Sequence, residues 1–214
     1  DAILSLTNAN ADGYYTITGG AGAETVTTGD GGALLTLGAG ADIITGDAAG
    51  VETYVFASTG ALNGVDKIAA SFTVATTIDI LNFKNVLPSG SVGSLTPIAI
   101  AASADTDITN KVYLYDGGNT DSGDSNSRLD TSDTATEIAA LIEGDSDMFT
   151  LTSGGKGIII SGDVDGATVD AIVWLVDDSL GDAAGTFSYD DVTELTSIVN
   201  FDLDTLVAGN FAFA

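Results

Sequence analysis

Residues 10 to 56 repeat every nine positions, a period that allows one short strand and one turn before the pattern begins again. Written in nines, the run is NADGYYTIT (10–18), GGAGAETVT (19–27), TGDGGALLT (28–36), LGAGADIIT (37–45) and, after one extra residue, DAAGVETYV (47–55). The fourth place is always glycine, at Gly13, Gly22, Gly31, Gly40 and Gly50. The eighth is large and apolar every time: Ile17, Val26, Leu35, Ile44 and Tyr54. The sixth carries an acid at Glu24, Asp42 and Glu52. Such a chain winds into a coil whose eighth-place side chains stack into an apolar ladder. That ladder alone is thin, so the coil needs a second source of cohesion.

Glycine at a fixed place lets the backbone take conformations closed to residues with a Cβ, and brings carbonyl oxygens of neighbouring turns together. Crowded carbonyls beside an acid suit a hard cation such as calcium, which accepts about six to eight oxygens. The spacing therefore fits a calcium-binding parallel β-roll. Positions eighteen apart fall on one edge of such a roll. Glu24 and Asp42, with Gly22 and Gly40, share the first edge, where calcium is chiefly expected. The opposite edge has Tyr15, Ala33 and Glu52 at the sixth place. Asp12 and Asp30 at the third place, with Asp47 nearby, give that edge a different and weaker ligand set.

The run resembles the RTX nonapeptide, GGxGxDxUx, with GGAGAETVT and LGAGADIIT the best matches, and GVETYVF is similar to the aromatic close of such an array. The resemblance covers about a fifth of the chain. It departs from the pattern where Glu24 replaces aspartate, where Ala33 removes a ligand and where Leu37 replaces a leading glycine. It implies calcium-dependent folding after export by type I secretion. The carboxyl end, NFDLDTLVAGNFAFA, is similar to the uncleaved signal of that route, and reads equally as a closing strand.

The acids number 31 against 5 bases, a formal charge of −26, and 26 of them are aspartate. The short acid suits turns and ion ligation. A solvated acidic surface is the plainer reading of any single aspartate. The sign excludes nucleic acid and anionic lipid, which need lysine and arginine to displace counterions. With 44% apolar residues, the chain is folded rather than disordered. Neither cysteine nor histidine occurs. Metal sites are therefore built from oxygen alone, which favours calcium over zinc, copper or haem. No apolar run is long enough to insert in a membrane. The amino terminus lacks a standard signal, and DAILSLTNANADGYY reads as a strand entering the roll, as in the tail of a longer precursor.

Beyond Phe56 the period changes from nine to two. Val65–Val86 alternates apolar and polar residues and resembles the strands that cap an RTX roll. Strands are expected at Thr96–Ala101, Lys111–Asp116, Met148–Thr152, Gly157–Ser161, Val169–Asp177 and Val192–Asn200. Both alternating sets of Val169–Asp177 are apolar, the mark of a central strand covered on both faces. Thr134 and Glu137 form a capping box before Ile138, Leu141 and Ile142, and Gly144 ends that helix. The expected fold is all-β: a short β-roll over residues 1–64, then a β-sandwich-like domain over 65–214 with one short helix.

Three acid-rich loops, 116–130, 161–170 and 176–191, offer further oxygen ligands, foremost Asp121 and Asp124, without EF-hand spacing. Catalysis is not expected. Without histidine or cysteine the chain has no Ser-His-Asp, HExxH or thiol chemistry, and its glycine repeat has no P-loop lysine. The first expectation is a secreted, calcium-dependent structural protein that self-assembles as a homo-oligomer or polymer in a surface layer, sheath or filament. One rival is the carboxy-terminal folding and secretion domain of an exported enzyme. Another is an adhesin module that binds a cell-surface polysaccharide.

Overall fold

A computed structural model of the chain describes residues 2–5, 13–74, 78–99, 106–116, 135–143, 149–162, 170–178 and 191–214. The described part is mostly β and divides into two compact units. One comprises Asp1–Ser89, Leu195–Val199 and Thr205–Ala214, and the other Gly90–Glu194 and Asn200–Asp204.

In the first unit, short strands rich in threonine and β-branched or leucine side chains follow one another: β1 (Ala2–Ser5), β2 (Tyr15–Thr18), β3 (Glu24–Thr27), β4 (Ala33–Thr36), β5 (Ile43–Thr45) and β6 (Glu52–Val55). Two more, β7 (Asp66–Ala70) and β8 (Ile80–Asn82), lie beyond the nine-residue repeats. Odd strands form one parallel sheet and even strands another, so each strand pairs with the one two further along the chain. The register is the nine-residue period doubled. Thr16 pairs with Leu34 and Thr25 with Ile43, eighteen residues on. The inserted residue lengthens the step once, at Ala33 and Glu52, and the loops before β7 and β8 lengthen it further.

Strand alternation sends one side chain per rung inward. Val26, Leu35, Ile44 and Tyr54 are buried as the period requires, and Ile68 and Leu81 continue the ladder. Leu35 and Tyr54 from one sheet and Ile44 and Ile68 from the other line a cavity of about 10 Å³, room for one water at most. The coil thus runs past the expected boundary at residue 64, and the division falls after Ser89. Phe56 and Phe83 stack with ring centroids 5.0 Å apart and close its far end.

The second unit holds β9 (Ser91–Ala99), β10 (Thr106–Asp107), β11 (Lys111–Asp116), α1 (Ala135–Glu143), β12 (Phe149–Thr150), β13 (Lys156–Gly162) and β14 (Ala171–Asp177). The order β14-β13-β11-β9 makes a mixed sheet, antiparallel between β13 and β14 and parallel elsewhere. Every residue of β14 is buried, so the strand expected to be central is covered on both faces. Ile138 and Ala139 of α1 pack into one cluster with Tyr113, Phe149, Trp174 and Val176. Trp174 satisfies its indole by donating to Ser161 Oγ at 2.9 Å. The capping pair is not described at the side-chain level. Among the described residues, the second unit holds this mixed sheet with a helix on one face and the small β10-β12 pair.

β15 (Val192–Ile198) begins in the second unit, and its end pairs in parallel with β7 in the first, Thr196 against Asp66 and Ile198 against Ile68. β16 (Phe211–Ala212) pairs in parallel with β8, so the carboxyl end is a rung of the coil.

Two glycines show why the fourth place is fixed. A Cβ on Gly40 would collide with the Gly22 carbonyl oxygen one rung away, and Gly64 repeats the contact against Gly40 with φ at +69°. Gly40→Ala should therefore destabilise the coil by about 1–3 kcal/mol, as overpacking does. Gly20→Ala, where nothing lies within 4 Å, should change stability by less than about 0.5 kcal/mol. Urea unfolding of the two variants checks the contrast.

Candidate functional site

The sixth-place acids do not stand out from the coil as free ligands. Asp42, and beyond the repeats Asp66 and Asp79, each turn a carboxylate along the coil axis and accept the backbone N–H of the acid one rung earlier. In the odd sheet, Glu24 N donates to Asp42 Oδ1 at 2.6 Å, and Asp42 N donates to Asp66 Oδ1 at 3.1 Å. In the even sheet, Glu52 N donates to Asp79 Oδ1 at 2.8 Å, and Asp79 Oδ2 accepts Thr73 N at 2.8 Å. Where the sixth place is Ala33, its amide goes instead to the Val51 carbonyl at 3.1 Å. Glu52, one methylene longer than aspartate, carries its Oε1 to the Thr28 hydroxyl at 2.8 Å.

Two carboxyl columns result, Glu24–Asp42–Asp66 and Glu52–Asp79. The first brings together the pair expected from the sequence. Asp66 and Asp79 were not anticipated, because the loops before them break the count of nine. A readable signal survives the break: an acid two places before a buried apolar residue, in E-T-V, D-I-I, E-T-Y, D-K-I and D-I-L. Asp30 is exposed at its turn, and Asp47 spends Oδ1 on its own turn at Ala49 N, 2.8 Å away. Asp12, Asp121 and Asp124 lie outside the described residues.

Apart from half-buried Glu24, the column acids are buried. Asp42 is 1% exposed, and Glu52 and Asp79 are fully buried. Asp42 Oδ2, Glu52 Oε2 and the Tyr54 hydroxyl have no hydrogen-bond partner. No lysine among the described residues pairs with a column acid. Burial therefore pushes these groups towards their neutral forms. Asp66 rises to about 8, through burial and then the charge of Asp42, and Glu52 rises to about 7, through burial and then the charge of Asp79. Burial also raises Asp42 and Asp79, and lifts Tyr54 well above its ordinary value.

Two buried carboxylate oxygens of the columns lack partners, and oxygen is the donor type that a hard cation takes. Among the described residues no three acids converge on one point, so a bound ion would complete its shell with main-chain oxygens. Comparison with protein-family models, curated proteins and solved structures gives no match for the chain.

Two outcomes follow from the columns. Folded Asp66 and Glu52 hold protons that the unfolded chain, at the ordinary values of 3.8 and 4.5, releases. Their contribution is fully present at acid pH and is lost as pH rises towards about 7 for Glu52 and about 8 for Asp66. In chelator, the thermal midpoint should fall between about pH 5 and about pH 8, and Asp66→Asn should flatten that slope, both read by circular dichroism. Asp79→Ala strands the amides of Glu52 and Thr73 and should cost about 1–3 kcal/mol for each acceptor lost, measured by urea unfolding.

Proposed function

We propose that this chain is a secreted structural protein with a calcium-dependent β-roll, a subunit or terminal domain of a surface layer, sheath or filament that assembles from copies of itself. The observation that carries the reading is the buried, uncompensated carboxyl column. A coil held by stacked acids without basic partners is unfavourable at neutral pH until a cation or proton neutralises them. Asp42 through Oδ2 and Glu52 through Oε2 would hold calcium, with turn carbonyls completing the shell. The ion supplies positive charge and oxygen coordination, and its binding energy becomes folding energy.

The chain's own part is to hold the rungs in register. Column carboxylates accept amides across rungs, glycines permit the close approach, and the apolar ladder excludes water. Extracellular calcium modules bind with dissociation constants of about 10⁻⁴–10⁻³ M, so such a coil stays open in the cytosol and closes outside. The burial of β14 on both faces supports a layered, sandwich-like second unit. A chain without histidine or cysteine and with acid-rich turns is suited to scaffolding and to ion bridging between copies.

Calcium titration followed by circular dichroism and light scattering tests the reading. At neutral pH a poorly folded chain should become β-rich and then associate. Asp42→Ala should weaken folding more than Asp121→Ala, because Asp42 accepts the Glu24 amide. A folded, monodisperse protein in chelator, indifferent to added calcium, would defeat both halves.

A further inference from the structure

The sequence directs attention to the edge of Glu24 and Asp42, yet the better-built pocket of oxygens lies elsewhere, at the corner where the coil leaves its repeats. We propose that the tightest divalent-cation site of this chain is formed there by Glu52 with the carbonyl oxygens of Ala70 and Ser71, beside Gly46. The inference rests on the calcium reading above and assigns it a place that the nine-residue pattern does not give.

The geometry converges from two rungs. A Cβ built on Gly46 would lie 3.4 Å from the carbonyl oxygens of both Ala70 and Ser71 and 3.5 Å from Glu52 Oε2. Three oxygens from two rungs thus lie within 3.5 Å of one point beside Gly46. Gly46 N also donates to the Ala70 carbonyl at 3.2 Å, which fixes the rungs against each other. Ser71 holds φ at +61°, a left-handed conformation that costs a non-glycine residue, and such conformations concentrate at ligand sites.

Glu52 is the observation that points to a ligand. Its side chain is 0% exposed, Oε1 is committed to Thr28, and Oε2 has no hydrogen-bond partner. The Tyr54 hydroxyl, also buried and unpartnered, feels the charges of both Glu52 and Asp79. Asp79 is a positioning residue: its two oxygens tie the Glu52 amide to that of Thr73, and so hold Glu52 against the segment that follows Ser71. Asp47 adds negative charge near Glu52. Oxygen ligands on turn carbonyls suit calcium better than magnesium, which demands a rigid octahedron. On the other edge Asp42 Oδ2 is also buried and unpartnered, but the acid it caps, Glu24, is only half-buried, whereas Glu52 and Asp79 are both fully buried.

Terbium, a calcium-sized ion that emits when a nearby tyrosine is excited, reads the site directly in the full chain, alongside calorimetric calcium titration. Terbium should give sensitised emission that calcium displaces. Tyr54→Phe should reduce that emission several-fold while calcium affinity holds. Glu52→Gln should weaken the tightest calcium binding by at least roughly 10- to 100-fold, which the loss of an outer-shell partner already costs, and by more than Asp42→Asn does. If Asp42→Asn abolishes the tightest binding and Glu52→Gln spares it, or if Tyr54→Phe leaves the emission unchanged, the corner site is overturned and the calcium reading stands. If the wild-type chain binds neither ion, both fall. Should Glu52→Gln fail to fold by circular dichroism, the Tyr54→Phe emission decides alone.

Discussion

A hydrogen bond from the sixth-place amide of one rung to the carboxylate of the next organises the first unit. It recurs from Glu24 to Asp42, from Asp42 to Asp66 and from Glu52 to Asp79. Each joins residues 18 to 27 positions apart and fixes the step of the coil at the turn, where strand pairing has ended. The short strands alone pair only two to four residues at a time. The apolar ladder of Val26, Ile44 and Ile68 facing Leu35, Tyr54 and Leu81 supplies burial, and the carboxyl columns supply register.

That arrangement has an electrostatic consequence. Stacking acids along a dry axis places like charges at the spacing of adjacent strands, roughly 4.8 Å, with no lysine to offset them. The fold is therefore coupled to whatever neutralises the columns, either bound protons or a cation with oxygen coordination.

Much of this coil was legible as sequence because a strict period of nine encodes both rung length and facing. Glycine at the fourth place and an apolar side chain at the eighth specify a turn and a core position, whereas the acid at the sixth was expected as an ion ligand and its cap on the neighbouring rung's amide was not. Ile158–Ile160 and Ala171–Val176 were legible as strands for a different reason, continuous apolar runs bounded by turns. Asp66 and Asp79 were not, since the longer loops before β7 and β8 destroy the count although the acid-x-apolar signature persists. The carboxyl end was open to two readings, and its pairing with β8 gives it a structural place.

The sequence by itself determined the rung: its length, its inward residue, its need for glycine and the choice of oxygen as the only metal donor, because these depend on local sterics and residue inventory. Tertiary structure decided which acids meet. Whether a carboxylate caps an amide, reaches Thr28 or keeps an oxygen free depends on the neighbouring rung, and loops of irregular length set that neighbour. At the corner of Gly46, Glu52, Ala70 and a left-handed Ser71, a later rung's carbonyls lie beside an earlier glycine. No spacing rule in the chain encodes that approach.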